Sequence, residues 1–358
     1  QVSFVQGHEN ALFIQGSLVP FLVCSNEHWF KPTQHSVKEL RSLGISPDII
    51  VARANEPLEQ SIKDKIALFC NVKKDCVIEN TTMDSLYEAP LMLHDNGLDT
   101  VVCRELGLDK KKPDLTEWQN LVKRIHNLKK NVKVGIVGKY VALHDAYLSV
   151  RESLYHGGYE NDASVDIAWI DSEKITNENV AETLKGLDGI VVPGGFGERG
   201  IEGMVAACRY ARENDIPYLG LCLGMQISVI EFARDVAGIE DANSREFDEN
   251  GKHLVIDLME EQMRIVRKGG TMRLGAYPCK IVKGTMLEKA YGQHQISERH
   301  RHRFEFNNEY KDVLSKAGLK ISGTSPDGSI VEAVEALRFY LNFFFKSIYA
   351  IFICHIFY

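Results

Sequence analysis

Residues 218–230 read YLGLCLGMQISVI. An apolar run closes on Gly220, the segment Gly-Leu-Cys-Leu-Gly follows at 220–224, and MQISVIEFA continues with helical spacing. Cys222 is therefore read as the tip of a sharp strand-to-helix turn. The pattern Gly-x-nucleophile-x-Gly has a steric origin: the tip residue takes a strained backbone conformation, and small neighbours let strand and helix pass closely. At a helix start the thiol also meets unpaired N–H groups and the positive dipole end, which favour the thiolate. The ordinary fate of a free cysteine is burial in an apolar core, and it is the flanking strand and helix that favour a nucleophile here.

Working upstream, VVPGGFGERGIEG at 191–203 places two adjacent glycines after a buried strand. Such a turn can offer backbone N–H groups to a developing oxyanion, where a bulkier residue would block the approach. It lies one strand–helix step before Cys222, which brings Gly194 and Gly195 beside the thiol. Further upstream, VKVGIVGKY opens a new run of alternating elements: a strand at 132–137, a helix at about 145–157, the strand VDIAWI, the strand GIVV and a helix at about 201–214. This is an α/β layout with a doubly wound parallel sheet, in which sites form at the carboxyl ends of strands.

The first hundred residues carry the same alternation. A helix is expected over 34–43, the buried strand PDIIVARA follows, and SIKDKIALFC is amphipathic. Between the two regions, LDKKKPDLTEWQNLVKRIHNLKKN is charged and poor in β-branched residues. The expected organisation is a first α/β domain at 1–107, a linker at 108–131, a second α/β domain at 132–336 and a hydrophobic tail at 337–358. The tail is apolar but is interrupted by Asn342, Lys346, Ser347 and His355, and it barely reaches the ~20 residues of a spanning helix. It reads as translated non-coding or mis-spliced sequence. The opening QVSFVQGHENALF shows no initiator Met or signal layout and reads as the middle of a domain.

With 44% hydrophobic and 25% charged residues, the 358-residue chain has a globular balance, and its net charge of -7 disfavours nucleic acid or an anionic membrane as partner. Its eight cysteines show no CxxC pair or other metal spacing, so no metal site is expected and a reducing, cytoplasmic setting is.

Near the end, ERHRHRFEFNN at 298–308 puts His300 and His302 on one strand face and Arg299, Arg301 and Arg303 on the other. The segment suits a carboxylate or phosphate, or simply a charged edge strand. Either histidine is a candidate base for Cys222, although no sequence feature ties them together.

These segments, with GKY, ANSREF and GGTMRLGA, resemble the class I glutamine amidotransferase part of the CTP synthase family. SLVPFL, KPTQHSVKELRSLGISPDII and KDKIALFCNV resemble the later part of that family's synthetase domain. The resemblance implies amination of UTP to CTP with Mg-ATP, using ammonia cut from glutamine, and activation by GTP in a cytoplasmic homotetramer. Residue by residue it implies Cys222 as nucleophile, with Gly194 and Leu223 forming the oxyanion hole. Gly195, Gln226, Glu246 and Arg303 match glutamine contacts; Lys31, Thr33, Gln34 and Lys65 match contacts to UTP or CTP. Phe196 and Arg199 match the loop that senses GTP.

Three departures accompany the match. Trp29 and Phe30 stand where the family motif has a lysine and a threonine. No GxxxxGK[ST] loop occurs, GIVGK at 135–139 having the wrong spacing. After VEAVE the family's His-Pro-Glu, which supplies the base and its carboxylate, does not follow; His355 precedes Ile356, and no Asp or Glu occurs after Glu335. A truncated synthetase domain and weak or absent turnover are therefore expected, since loss of a triad base costs several orders of magnitude. Two other readings accompany this one: a non-catalytic assembly subunit, and a Cys-dependent α/β hydrolase using His300 or His302.

Overall fold

Strands buried on both faces read as unbroken apolar runs, and the strand Gly189–Val192, buried at all four positions, is the plainest case. The computed structural model describes residues 5–109, 112–258 and 273–336. Two compact units divide the chain at Gln1–His126 and Asn127–Tyr358.

In the first unit a three-stranded parallel sheet has Ile49–Ala54 at its centre, between Ile14–Leu18 and Val77–Thr81. Alternate residues of the central strand feed opposite faces. Ile50, Ala52 and Ala54 pack with Val37 of the helix Lys31–Ser42 and Ile62 and Ile66 of the helix Gln60–Cys70, while Ile49 packs with Ile78 and Val101. The helix expected from residue 34 starts at Lys31, with Pro32 inside its first turn, where a missing N–H removes no hydrogen bond. The stretch 108–131 contains the helix Thr116–His126. That helix is fastened within the first unit, Trp118 Nε1 donating to the Tyr87 carbonyl at 2.5 Å and His126 lying 3.2 Å from Glu88. The break between units therefore falls after His126.

The second unit holds a four-stranded, all-parallel sheet in the order Ala163–Asp171, Lys130–Gly138, Gly189–Val192, Tyr218–Gly220. The chain goes first to one side and then returns to the other, which makes a switch point at the carboxyl ends. Val134, Ile136 and Val191 pack with Leu154 of the helix Leu148–Glu160 on one face. Val137, Ile190 and Val192 pack with the helices Ile201–Glu213 and Leu223–Asp235 on the other. A small sheet formed by Ala242–Ser244, His253–Leu258 and Phe304–Phe306 follows, together with an antiparallel sheet in the order Gln295–His302, Arg273–Ile281, Leu319–Thr324, Val331–Ala336. Residues 337–358, including the tail and His355, lie outside the described residues. Among the described residues no helix is long and apolar enough to cross a membrane.

Candidate active site

Cys222 sits between the strand Tyr218–Gly220 and the helix Leu223–Asp235 with φ 54° and ψ -104°, a conformation L-residues rarely adopt. Such strain, ~1–3 kcal/mol, persists only where the surroundings over-determine it. They do so here: Leu223, Ile227 and Ile230 are fully buried, Leu221 N–H donates to the Val192 carbonyl at 2.9 Å, and Tyr218 Oη donates to the Gly224 carbonyl at 2.9 Å. Both flanking glycines are obligatory. A Cβ on Gly220 would stand 2.3 Å from the Gly224 oxygen, and one on Gly224 would stand 2.0 Å from the Val192 oxygen.

The thiol is open to a cavity but crowded by its walls. Burial pushes the Cys222 pKa up to about 11; the Leu223 N–H lowers it, and the Glu246 and Glu305 carboxylates raise it further. The helix start does favour the thiolate through the Leu223 N–H, but one N–H does not offset desolvation reinforced by two nearby carboxylates. Among the described residues, no histidine hydrogen-bonds the Cys222 sulfur.

Two cavities, of about 300 and 610 Å³, meet at Cys222. Gly195, Phe196, Gln226, Glu246 and Arg303 line the smaller with it, so the residues assigned to glutamine fall together. Gln226 is buried and its Nε2 donates to the Phe304 carbonyl at 3.0 Å; Glu246 Oε1 accepts the Gly197 N–H at 2.7 Å. Gly194 lines the larger cavity with Cys222, and a Cβ placed on it would lie 3.6 Å from the Cys222 Cβ. The loop after Gly195 is held from outside: Arg199 Nη1 pairs with Glu173 at 2.6 Å and its guanidinium lies over the Tyr140 ring at 5.9 Å. Phe196 is half exposed.

One participant escaped the sequence reading. Lys139, at the end of the strand Lys130–Gly138, is buried and donates Nζ to the carbonyls of Phe196, at 3.0 Å, and Gly197. GIVGK shows a lysine directly after an apolar strand, at the sheet edge where sites form, and that position is the signal available in the sequence.

The histidine pair lines the larger cavity with Cys222 but is engaged elsewhere. His300 Nδ1 and His302 Nε2 are 2.7 Å apart, His302 Nδ1 lies 3.2 Å from Glu305, and His300 Nε2 lies 3.6 Å from Glu332. Arg273, whose guanidinium stacks on Tyr277, bridges the same two carboxylates at 3.1 and 2.8 Å. Burial, with Arg273 and His302 nearby, pushes His300 down to about 4. Within this buried ion network Nδ1 of His300 and Nε2 of His302 are thus bound to each other, while His300 Nε2 and His302 Nδ1 are buried beside the carboxylates without a hydrogen bond. The strand alternation that puts the two histidines on one face serves that network.

In the first unit, Lys31 and Lys65 gather around the stacked Phe30 and Phe69 rings. Lys31 Nζ lies 5.7 Å from each centroid, Lys65 Nζ lies 6.0 Å from that of Phe30, and Lys31 donates to Gln34 Oε1 at 3.1 Å. Thr33 turns the other way: fully buried, it accepts from Ser17 Oγ at 3.0 Å and donates to the Leu18 carbonyl.

Comparison with known proteins follows the same division. The pattern described as Glutamine amidotransferase class-I matches residues 142–341, and the one described as CTP synthase N-terminus matches residues 1–108. CTP synthase of Carboxydothermus hydrogenoformans is 57% identical over 329 residues, which make up 92% of this chain and 62% of that protein. CTP synthase of Listeria innocua is 54% identical over 335 residues, 94% of this chain and 63% of that protein. The chain thus spans under two thirds of the length of these relatives. The solved glutaminase domain of Trypanosoma brucei CTPS, with bound acivicin, is 38% identical with a TM-score of 0.54; the match covers 63% of this chain and 93% of that one. A cysteine elbow and a diglycine loop on adjacent parallel strands, joined in one chain to the synthetase-like first unit, agree with these matches: the chain belongs to the CTP synthase family.

Proposed function

We propose that the second unit hydrolyses glutamine at Cys222 and that the ammonia serves amination of UTP to CTP. The observation that carries the reading is the single cavity in which a strained cysteine, Glu246 and Arg303 converge. A zwitterionic amino acid needs a carboxylate for its ammonium and a cation for its carboxylate, and both are present. The Cys222 sulfur attacks the side-chain amide carbon; the C–S bond forms, the C–N bond breaks and ammonia leaves with a proton. Water then cleaves the thioester to glutamate. Leu223 N–H and the Gly194 peptide are the donors assigned to the oxyanion.

A thiol with a pKa near 11 needs a proton acceptor at the moment of attack, and among the described residues none is in place. Turnover by this chain is accordingly expected to be slow. Among the described residues no group of three or more His, Cys, Asp or Glu side chains could hold a metal ion, whereas Mg-ATP needs only one or two carboxylates besides its own phosphates. The ATP-dependent step rests on family membership. The same reading takes UTP, ATP and the activator GTP as nucleotide partners, a homotetramer as the assembly and the cytoplasm as the compartment.

Ammonia release from glutamine, measured beside covalent labelling by acivicin, tests the proposal. Slow release and labelling, both abolished in Cys222→Ala, are expected. A wild-type chain that reacts with iodoacetamide at Cys222 but never with acivicin would remove glutamine as the substrate.

A further inference from the structure

Three neighbouring strands end at the cavity. Their carboxyl ends carry Lys139, the Gly194–Gly195 turn and Cys222 in that spatial order. The turn and the cysteine have roles in the reading above; the lysine has none. Its side chain is 5% exposed, and burying an ammonium costs several kcal/mol unless its partners compensate. Burial lowers the Lys139 pKa; Glu246 raises it, Arg199 lowers it and Glu173 raises it. The Phe247 ring lies 6.0 Å from Nζ. A lysine kept in such a place is held by specific bonds, and the two that Nζ makes run to consecutive carbonyls of one loop, those of Phe196 and Gly197.

The Gly197 carbonyl belongs to the following peptide, and the Phe196 carbonyl belongs to the peptide whose N–H, on Gly197, donates to Glu246 Oε1 at 2.7 Å. Gly197 has φ +77°, so this peptide takes an orientation that a residue with a side chain resists. The stem of Lys139 also runs beside Gly195: a Cβ built there would meet its Cδ and Cε at 3.6 and 3.7 Å. The ammonium therefore fixes the loop, the loop presents one N–H, and that N–H grips the carboxylate lining the small cavity. Resting on the glutamine reading, we propose that Lys139 is a positioning residue: through the Phe196–Gly197 peptide it orients Glu246 to receive the α-ammonium group of the substrate.

The test uses acivicin, an α-amino acid electrophile, beside the same chlorodihydroisoxazole ring lacking the α-amino group. In either reaction the Cys222 sulfur forms a C–S bond and chloride leaves, while the thiol proton goes to solvent. Lys139→Met is expected to raise the half-saturating acivicin concentration by about 10- to 100-fold, the range a misplaced binding group costs. The maximal inactivation rate should change less than about 3-fold, labelling by the desamino compound should be unchanged, and Lys139→Arg should recover most of the loss.

Glu246→Gln supplies the second arm. If Lys139 acts through Glu246, adding Lys139→Met to Glu246→Gln weakens acivicin binding little further. Equal losses for both electrophiles in folded Lys139→Met, or full additivity of the two substitutions, would overturn the proposal and leave Lys139 as a loop staple. Should Lys139→Met fail to fold, Lys139→Gln read against both electrophiles decides it by the same criterion: a loss confined to acivicin supports it, and equal losses or no loss overturn it. A wild-type chain labelled by iodoacetamide but by neither ring compound defeats the glutamine reading itself, a result distinct from every variant outcome.

Discussion

Cys222 shows how far a backbone signal can diverge from an electrostatic one. Its neighbours in sequence set the strained turn, because Gly220 and Gly224 are the residues that clear the Gly224 and Val192 carbonyl oxygens. Its pKa is set by groups distant in sequence, notably Glu246 and Glu305, together with the burial that dominates. A free thiol titrating near 8.5 would reach its full alkylation rate by about pH 9.5. For Cys222 the second-order rate with iodoacetamide should rise about tenfold per pH unit through pH 8–10 and be only about half-maximal near pH 11. A plateau at pH 9 would show that the thiolate is stabilised by a group the geometry does not reveal.

At the scale of elements, the two helices covering one face of the second sheet are joined by a buried ion pair as well as by apolar contacts. Glu231, on Leu223–Asp235, is fully buried and accepts from Arg212, on Ile201–Glu213, at 2.8 Å; its Oε2 has no hydrogen-bond partner. Burial pushes Glu231 up to about 7, with Arg212 opposing. A folded pKa above the unfolded value favours the fold below pH ~4.5, and that contribution fades as pH rises through about 7. Arg212→Met leaves the carboxylate without its cation. The expected cost is about 3–5 kcal/mol at pH 8, measured by urea unfolding, and clearly less at pH 5, where Glu231 is protonated. Equal costs at both values would mean that Arg212 acts by packing alone. This pair stabilises the helix that begins after Cys222, so the same substitution is expected to slow acivicin labelling at pH 8.

For the whole molecule, the two units carry separate cores, and calorimetry should resolve two transitions. Acivicin bound at Cys222 should raise only the transition of the unit Asn127–Tyr358, by the linkage of ligand to the native state; a single transition that shifts as one would contradict separate folding. The unbroken apolar strands, the glycines at 194–195 and 220–224 and the helical spacing after Cys222 were sufficient to read two α/β regions and the sharp turn at Cys222, because sterics and hydrophobic periodicity are local. The boundary after His126 was not legible, since only the contacts of Trp118 and His126 assign the charged helix to the first unit. Nor was Lys139, whose meaning lies in carbonyls 57 and 58 residues away. Sequence alone thus determined the elements, the elbow and the residue types around the cavity. Tertiary structure decided which charges face one another, so only it could raise the thiol's pKa, draw His300 and His302 into the Arg273 network and seat a buried ammonium under the loop, because electrostatic and desolvation energies depend on distance in space rather than along the chain.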